Sequence, residues 1–204
     1  MAERGRPRGF DRDVALGHAI DVFWAKGFEG ASMNDLTTAM GIASPSLYAA
    51  FGSKEALFHD AVGRYVDTDG ASVWQVVAAA NTAYDAAEGL LMESARAFTR
   101  KNKPTGCMVI LSAVFAAGSP AIRDDLVGRR KECTRFLARK LAEGMETGEI
   151  APTTDVEALA VYLMTVQQGM SLQARDGASR ATLIKTARTA LAGWEALTGN
   201  TRER

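Results

Sequence analysis

Residues 30–54, GASMNDLTTAMGIASPSLYAAFGSK, constrain the fold more than any other stretch. Capping residues, apolar pairs and glycines alternate there on a period that suits two short helices joined by a three-residue turn. Ser32 is a good N-cap, because its hydroxyl accepts a hydrogen bond from a free N–H of the next turn. Leu36 and Met40 recur four apart on one helical face. Gly41 follows where a helix stops most easily, since glycine enters the left-handed region without a Cβ clash. Ile42 plugs the turn from the apolar side. Ser44 is placed as the cap of the second helix, with Pro45 at its first position, where the missing N–H is not needed. Leu47 and Phe51, again four apart, face back onto Leu36, Met40 and Ile42. This is the pattern of a helix-turn-helix, whose second helix enters the DNA major groove. An ordinary hairpin in an all-α core has the same spacing, and both readings stand at this point.

Charge is distributed awkwardly for DNA binding. Lys and Arg number 24 and Asp and Glu 24, for a formal net charge of zero, and no Lys or Arg lies between Lys26 and Lys54. Arg4, Arg6 and Arg8 instead crowd residues 1–9, a Gly/Pro-bearing segment that reads as a flexible basic arm. Phosphate contacts are therefore expected from this arm, from Lys54, from hydroxyls and from helix N-termini. The hydrophobic content of 47% and charged content of 24% suit a globular chain. No apolar run reaches the eighteen or so residues of a membrane span and no signal peptide is seen, so a cytoplasmic protein with no membrane partner is expected. Two cysteines, Cys107 and Cys133, make neither a disulfide framework nor a zinc spacing; no metal and no cofactor are expected.

In chain order, Asp11 caps a helix to about Lys26, with Val14, Ala15, Ile20, Val22, Phe23 and Trp24 on a broad apolar face. Phe28 tucks under the hairpin. Gly52 and Ser53 form a stop and a cap, and Lys54 opens a long helix with Leu57, Phe58, Ala61, Val62, Tyr65 and Val66 at helical spacing. Period-2 alternation is absent beyond residue 61, so helices are expected throughout: about 71–83, 85–100, 106–117 (nearly all apolar, hence central), 119–146, 155–175 and 179–197. The short loop before the last makes it an antiparallel neighbour of the helix preceding it.

The segment KGFEGASMNDLTTAMGIASPSLYAAFGSKEALF resembles the N-terminal domain of the TetR family of bacterial transcriptional regulators. The likeness covers roughly residues 10–60 and lies in the KGF entry, the glycine after the second helix, the L-Y-x-x-F run, the Gly-Ser-Lys joint and the Glu-Ala-Leu-Phe fourth helix. It implies an all-α chain: a three-helix DNA-binding domain over 10–54, a linking helix from about 54, and a helical regulatory and dimerisation domain over 55–204. It also implies a repressor released from a palindromic double-stranded operator when a small molecule binds. With Leu47 and Phe51 committed to the core, Ser44, Pro45, Ser46, Tyr48 and Ala49 remain for the groove. Hydroxyls serve base edges or phosphates, and Pro45 and Ala49 can meet a thymine methyl. Ser32 and Asn34 open the helix before. The family's matching tyrosine and lysine, here Tyr48 and Lys54, hold phosphates. Ala49 and Ala50 depart from the aromatic or histidine common there, which weakens the expected readout.

In the C-terminal domain the resemblance implies that the last two helices meet a second subunit. Val161, Thr165, Gln168 and Leu172 on one, and Ala187, Ala190 and Trp194 on the other, are the candidates, along with the small residues Gly169, Ser171 and Gly193. Plain intrachain packing is the alternative. For the ligand cage the candidates are Trp74, Phe98, Cys107, Met108, Phe115, Tyr162 and Met164, with Gln167 as polar anchor. Cys107, near a helix N-terminus where thiol pKa falls, leaves a thiol- or metal-responsive sensor open. An enzyme is not expected: no nucleophile elbow, metal-binding H-E-x-x-H or phosphate-cradling loop is present, and His18 and His59 lie far apart. A helical small-molecule-binding or interaction protein without DNA is the remaining alternative.

Overall fold

The computed structural model describes residues 10–114 and 118–199, and Arg4, Arg6, Arg8 and Phe115 lie outside them. Eleven helices and no strand occur among the described residues: α1 (Arg12–Gly30), α2 (Met33–Met40), α3 (Ser44–Phe51), α4 (Lys54–Asp67), α5 (Ala71–Ala79), α6 (Ala83–Ala97), α7 (Met108–Val114), α8 (Pro120–Glu146), α9 (Val156–Arg175), α10 (Arg180–Leu191) and α11 (Trp194–Thr198). The expected all-α architecture is observed. None of these helices is long and apolar enough to cross a membrane.

Each boundary has a local cause. Asp11 accepts the N–H groups of Asp13 and Val14, and α1 runs beyond Lys26 through a kink at Gly27, whose φ of 70° breaks the helical path. Phe28 then turns inward against Phe58, ring edge to face at 5.3 Å. Val14, expected on the apolar face, is exposed, while Leu16 and Ala19 are buried there. α6 begins at Ala83, because Thr82 caps it and the carboxylate of Glu149 accepts the N–H groups of Ala83 and Tyr84 at 2.6 and 2.8 Å. The expected last helix is two: α10 ends at Leu191, and Ala192-Gly193 reset the chain before α11.

Two apolar clusters result. One gathers the inner faces of α1–α4, with Phe23, Leu36, Leu47, Leu57 and Phe58, and takes in Met108, Val109, Ala113, Ile122 and Leu126 from α7 and α8. The other gathers α5, α6, α8, α9 and α10 around Leu90, Leu91, Leu137, Leu141 and Leu163. α7 contributes to both, Met108 and Val109 to the first and Ile110 to the second, so the seven-residue apolar helix is the seam of the molecule.

Candidate nucleic-acid interface and inner cavity

The reading helix is held out from the protein by residues that the sequence already singles out. The Ser32 hydroxyl accepts the N–H of Asp35 at 3.1 Å, and the Asp35 carboxylate accepts the N–H of Ser32 at 3.0 Å, a reciprocal capping box. Lys26 donates to the same carboxylate at 2.6 Å, and these donors lower the Asp35 pKa from 3.8 to about 2, with Lys26 the largest cause. Gly41 takes φ 66° at the end of α2, and the Ile42 N–H returns to the Thr37 carbonyl at 3.1 Å. The expected cap of α3 shifts by one residue. Ala43 occupies the N-cap with extended backbone, and Ser44 and Pro45 are the first residues of the helix, so the Ser44 hydroxyl does not cap it. Because Pro45 is the second helical residue, its missing N–H still costs no helical bond.

Leu36, Met40, Leu47 and Phe51 are buried together, which fixes α3 against α2. The opposite side of α3 is free: Ser44, Pro45, Tyr48 and Ala49 are exposed and Ser46 is half-buried. Tyr48 stands 49% exposed, an aromatic that folding leaves in solvent. Asn34 is exposed at the second position of α2, and the Ser32 hydroxyl is already engaged with Asp35. Lys54, the first residue of α4, rests its ammonium 4.5 Å from the centre of the Phe28 ring. Arg12 similarly lies over Phe51 at 4.5 Å while pairing with Asp60 at 2.6 Å.

Behind this face lies a partly open cavity of about 310 Å³ between α4, α5, α7, α8 and α9. Of the residues named from the sequence, Trp74, Phe98, Cys107, Met164 and Gln167 line it. Met108 and Tyr162 do not. Met108 points from the seam into the N-terminal core and is fully buried. Tyr162 faces outward from α9 and donates its hydroxyl to the Ala190 carbonyl at 3.3 Å. Gln167 donates to the buried Ser94 hydroxyl at 3.1 Å. Sequence reasoning missed Trp24, Tyr65, Val73, Ile110 and Arg130, which also line the cavity. For Arg130 the signal was present: it sits at i+4 from Leu126 and i−7 from Leu137, on the face of α8 that turns inward.

Trp24 and Tyr65 join the cavity to the N-terminal core. Their rings meet edge to face at 4.8 Å, the Trp24 indole donates to the Gly106 carbonyl at 3.1 Å, and the Tyr65 hydroxyl lies 3.4 Å from the Cys107 sulfur. Arg175 at the end of α9 donates to the carbonyls of Trp24 and Ala25 at 2.6 and 2.9 Å, satisfying groups that the kink at Gly27 leaves open. Burial raises the Cys107 thiol above its usual pKa of 9.0 and pushes Cys133 up to about 12, so both are protonated at neutral pH. The described residues contain no group of three or more His, Cys, Asp or Glu fit to hold a metal ion.

On the far side, Val161, Thr165 and Leu172 are exposed and Gln168 is half-buried, forming one row along α9. Ala187 and Trp194, expected beside them, are instead buried in the chain's own core. The break at Ala192-Gly193 turns Trp194 inward, where it meets Tyr84 edge to face at 5.6 Å. Ser171 also points inward and accepts the Cys107 N–H at 2.8 Å, while Ala190 is half-buried.

Comparison with known proteins accounts for both halves of this architecture. The family model of bacterial regulatory proteins, tetR family, matches residues 16–61, and that of the tetracyclin repressor-like C-terminal domain matches residues 89–191. The HTH-type transcriptional repressor ComR of Escherichia coli (strain K12) is 38% identical, covering 95% of this chain and 93% of ComR. The HTH-type transcriptional repressor BdcR of the same strain is 32% identical over 93% of this chain and 90% of its own length. Among solved structures, a cysteine mutant of the TetR family regulator CifR complexed with 26-bp operator DNA is 43% identical, with a TM-score of 0.88, covering 93% of this chain and 100% of that one. With a helix-turn-helix, an outward-facing reading helix and an all-helical C-terminal half in one chain, the protein belongs to the TetR family of DNA-binding transcriptional regulators.

Proposed function

We propose that the protein is a homodimeric repressor that leaves a palindromic operator when a small molecule enters the inner cavity. The observation that carries this reading is the wall shared by Trp24, Tyr65 and the C-terminal helices: a ligand in the cavity lies against side chains of α1 and α4, and α4 packs on the reading helix. A ligand needs only to favour one arrangement of these elements for DNA affinity to fall. Tyr48, Ser44, Ser46 and Lys54 are the assigned contacts to the groove and its phosphates, with Pro45 and Ala49 beside them, Asn34 on the flank and the arginines of the N-terminal arm in reserve. The exposed row Val161, Thr165, Gln168 and Leu172 is the assigned face between subunits. Pairing two copies doubles the number of bases read, which a single short helix cannot supply.

The protein's relatives ComR and BdcR are transcriptional repressors, and the activity proposed for this chain is binding without catalysis. The deciding experiment is selection of bound fragments from a random DNA pool, followed by a gel-shift titration at fixed salt. An inverted repeat bound by two chains supports the reading. Retention of no specific sequence overturns it and leaves a helical ligand-binding or interaction protein.

A further inference from the structure

One charge in the cavity wall pairs with no carboxylate among the described residues. Residues 126, 130, 133, 137 and 141 of α8 follow one another at steps of three and four, and Leu126, Leu137 and Leu141 on this face are fully buried. Arg130 interrupts the apolar stripe. Its Nε is sealed from solvent with no hydrogen-bond partner, and the guanidinium enters no ion pair among the described residues. The other charged residues of the wall are all paired: Asp69 with Arg100 and Lys103 at 3.4 Å each, Arg129 with Asp125 at 3.1 Å, and Glu132 with Arg135. Arginine cannot escape by losing its proton, so a sealed, unpartnered N–H demands an acceptor. Carboxylate is the acceptor whose geometry and charge suit a guanidinium best.

Much of the remaining wall is apolar, from Val73, Trp74, Phe98, Ile110 and Met164, and its polar Gln167 already donates to Ser94. A volume of about 310 Å³ lies at the small end of ligand cavities, which span about 300–1,000 Å³. An outer trough of about 610 Å³ between α5 and α8 shares Val66, Trp74, Glu132 and Cys133 with the cavity, and the Trp74 and Phe136 rings meet edge to face there at 6.1 Å.

We propose that the cavity binds a small monocarboxylic acid with an aromatic or medium-chain aliphatic body, its carboxylate on Arg130 and its body against Trp74, Phe98 and Met164. This assignment rests on the reading of the chain as ligand-responsive and supplies the chemical class of the ligand. Trp24 and Tyr65 line the same space, so the acid lies against the elements that position the DNA-reading helix.

The test is calorimetric titration of the full chain with naphthalene-1-carboxylate, trans-cinnamate and octanoate, each beside its neutral carboxamide. In the unsubstituted protein at least one acid is expected to bind roughly tenfold or more tightly than its amide, a difference of about 1.4 kcal/mol. Arg130→Met is expected to abolish that preference by weakening the acid far more than the amide, and Arg130→Lys to retain part of it; far-UV circular dichroism confirms that each variant is folded. Equal affinity for acid and amide, a preference that survives in Arg130→Met, or no binding by any acid overturns the assignment. A parallel gel shift with the same acids and with neutral apolar compounds separates the two readings. Acid binding that depends on Arg130 but leaves the operator complex intact supports the site and overturns ligand-controlled release. Release by neutral compounds alone, with no acid bound, does the reverse.

Discussion

The indole N–H of Trp24, near the C-terminal end of α1, donates to the carbonyl of Gly106 at 3.1 Å, 82 residues further along the chain. This bond fastens the helix behind the DNA-reading hairpin to the segment that enters α7, and its Trp24 end borders the inner cavity. Trp24→Phe keeps an aromatic ring but leaves that buried carbonyl without its donor. Stability is expected to fall by roughly 1–3 kcal/mol from the orphaned acceptor alone, read as a lower urea midpoint at unchanged m-value. An unaltered midpoint would show that the carbonyl finds water in solution.

DNA contact is predicted at two exposed positions. Tyr48→Ala and Lys54→Ala are expected to weaken operator binding while preserving helicity and dimerisation. Lys54→Ala should also flatten the dependence of log K on log salt by about 0.9 for each subunit, about 1.8 for a bound dimer, the contribution of one neutralised phosphate in each half-site. Unchanged affinity for both variants in a gel-shift titration would place the docking face elsewhere.

Two glycines with similar positive φ should respond differently to alanine. Gly41 (φ 66°) has no atom within 4 Å of where a Cβ would stand, so Gly41→Ala carries only the left-handed backbone cost of roughly 1–2 kcal/mol. Gly106 (φ 79°) would place its Cβ 2.7 Å from both the Leu111 Cδ1 and the Ser171 carbonyl oxygen. Gly106→Ala is therefore expected to lower the melting temperature much further than Gly41→Ala. Equal losses would count against the tight approach at Gly106.

Asp35 should titrate at about 2 instead of 3.8. A carboxyl whose folded pKa is depressed contributes stability that is present above its unfolded pKa and lost as pH falls from about 4 through 2. The carboxyl carbon shift of Asp35, followed by NMR, is expected to give a midpoint near 2, moving back toward 3.8 in Lys26→Met because the largest cause is then gone. A midpoint unmoved by that substitution would assign the shift to Ser32 instead.

Thiol chemistry is expected to be slow. Burial holds Cys107 and Cys133 protonated, Cys133 with a pKa of about 12, and it is the thiolate that reacts. At pH 8 both should label with iodoacetamide far more slowly than free cysteine, with full reactivity returning in guanidinium. Diamide should leave DNA binding unchanged; rapid loss of binding would revive the thiol-sensor alternative.

The helix-turn-helix was legible because its determinants are local. Ser32, Gly41, Pro45 and the pairs Leu36/Met40 and Leu47/Phe51 act over three to five residues, so spacing alone reveals them. The single-residue shift of the α3 cap from Ser44 to Ala43 shows the limit of that reading: serine is a good cap, but the backbone enters the helix one residue sooner. Trp74, Phe98, Cys107, Met164 and Gln167 could be named as cavity residues from apolar character and helix position. The same criteria also admitted Met108, which faces the other core, and Tyr162, which faces solvent, because periodicity gives a face but not the neighbour it meets.

By itself, then, the sequence determined the all-helical architecture, the reading hairpin, its sparse charge and the family. The architecture and the hairpin follow from capping, periodicity and glycine placement, all short-range, and the family from the resemblance of one contiguous motif. Tertiary structure decided what depends on distant segments meeting. It turned Trp194 and Ala187 into the chain's own core, and it brought Trp24 to Gly106 and to Tyr65. It also left the Arg130 Nε in the cavity wall without a hydrogen-bond partner among the described residues. Burial and charge pairing are properties of the packed whole, set by which faces come together, and no window of sequence contains them.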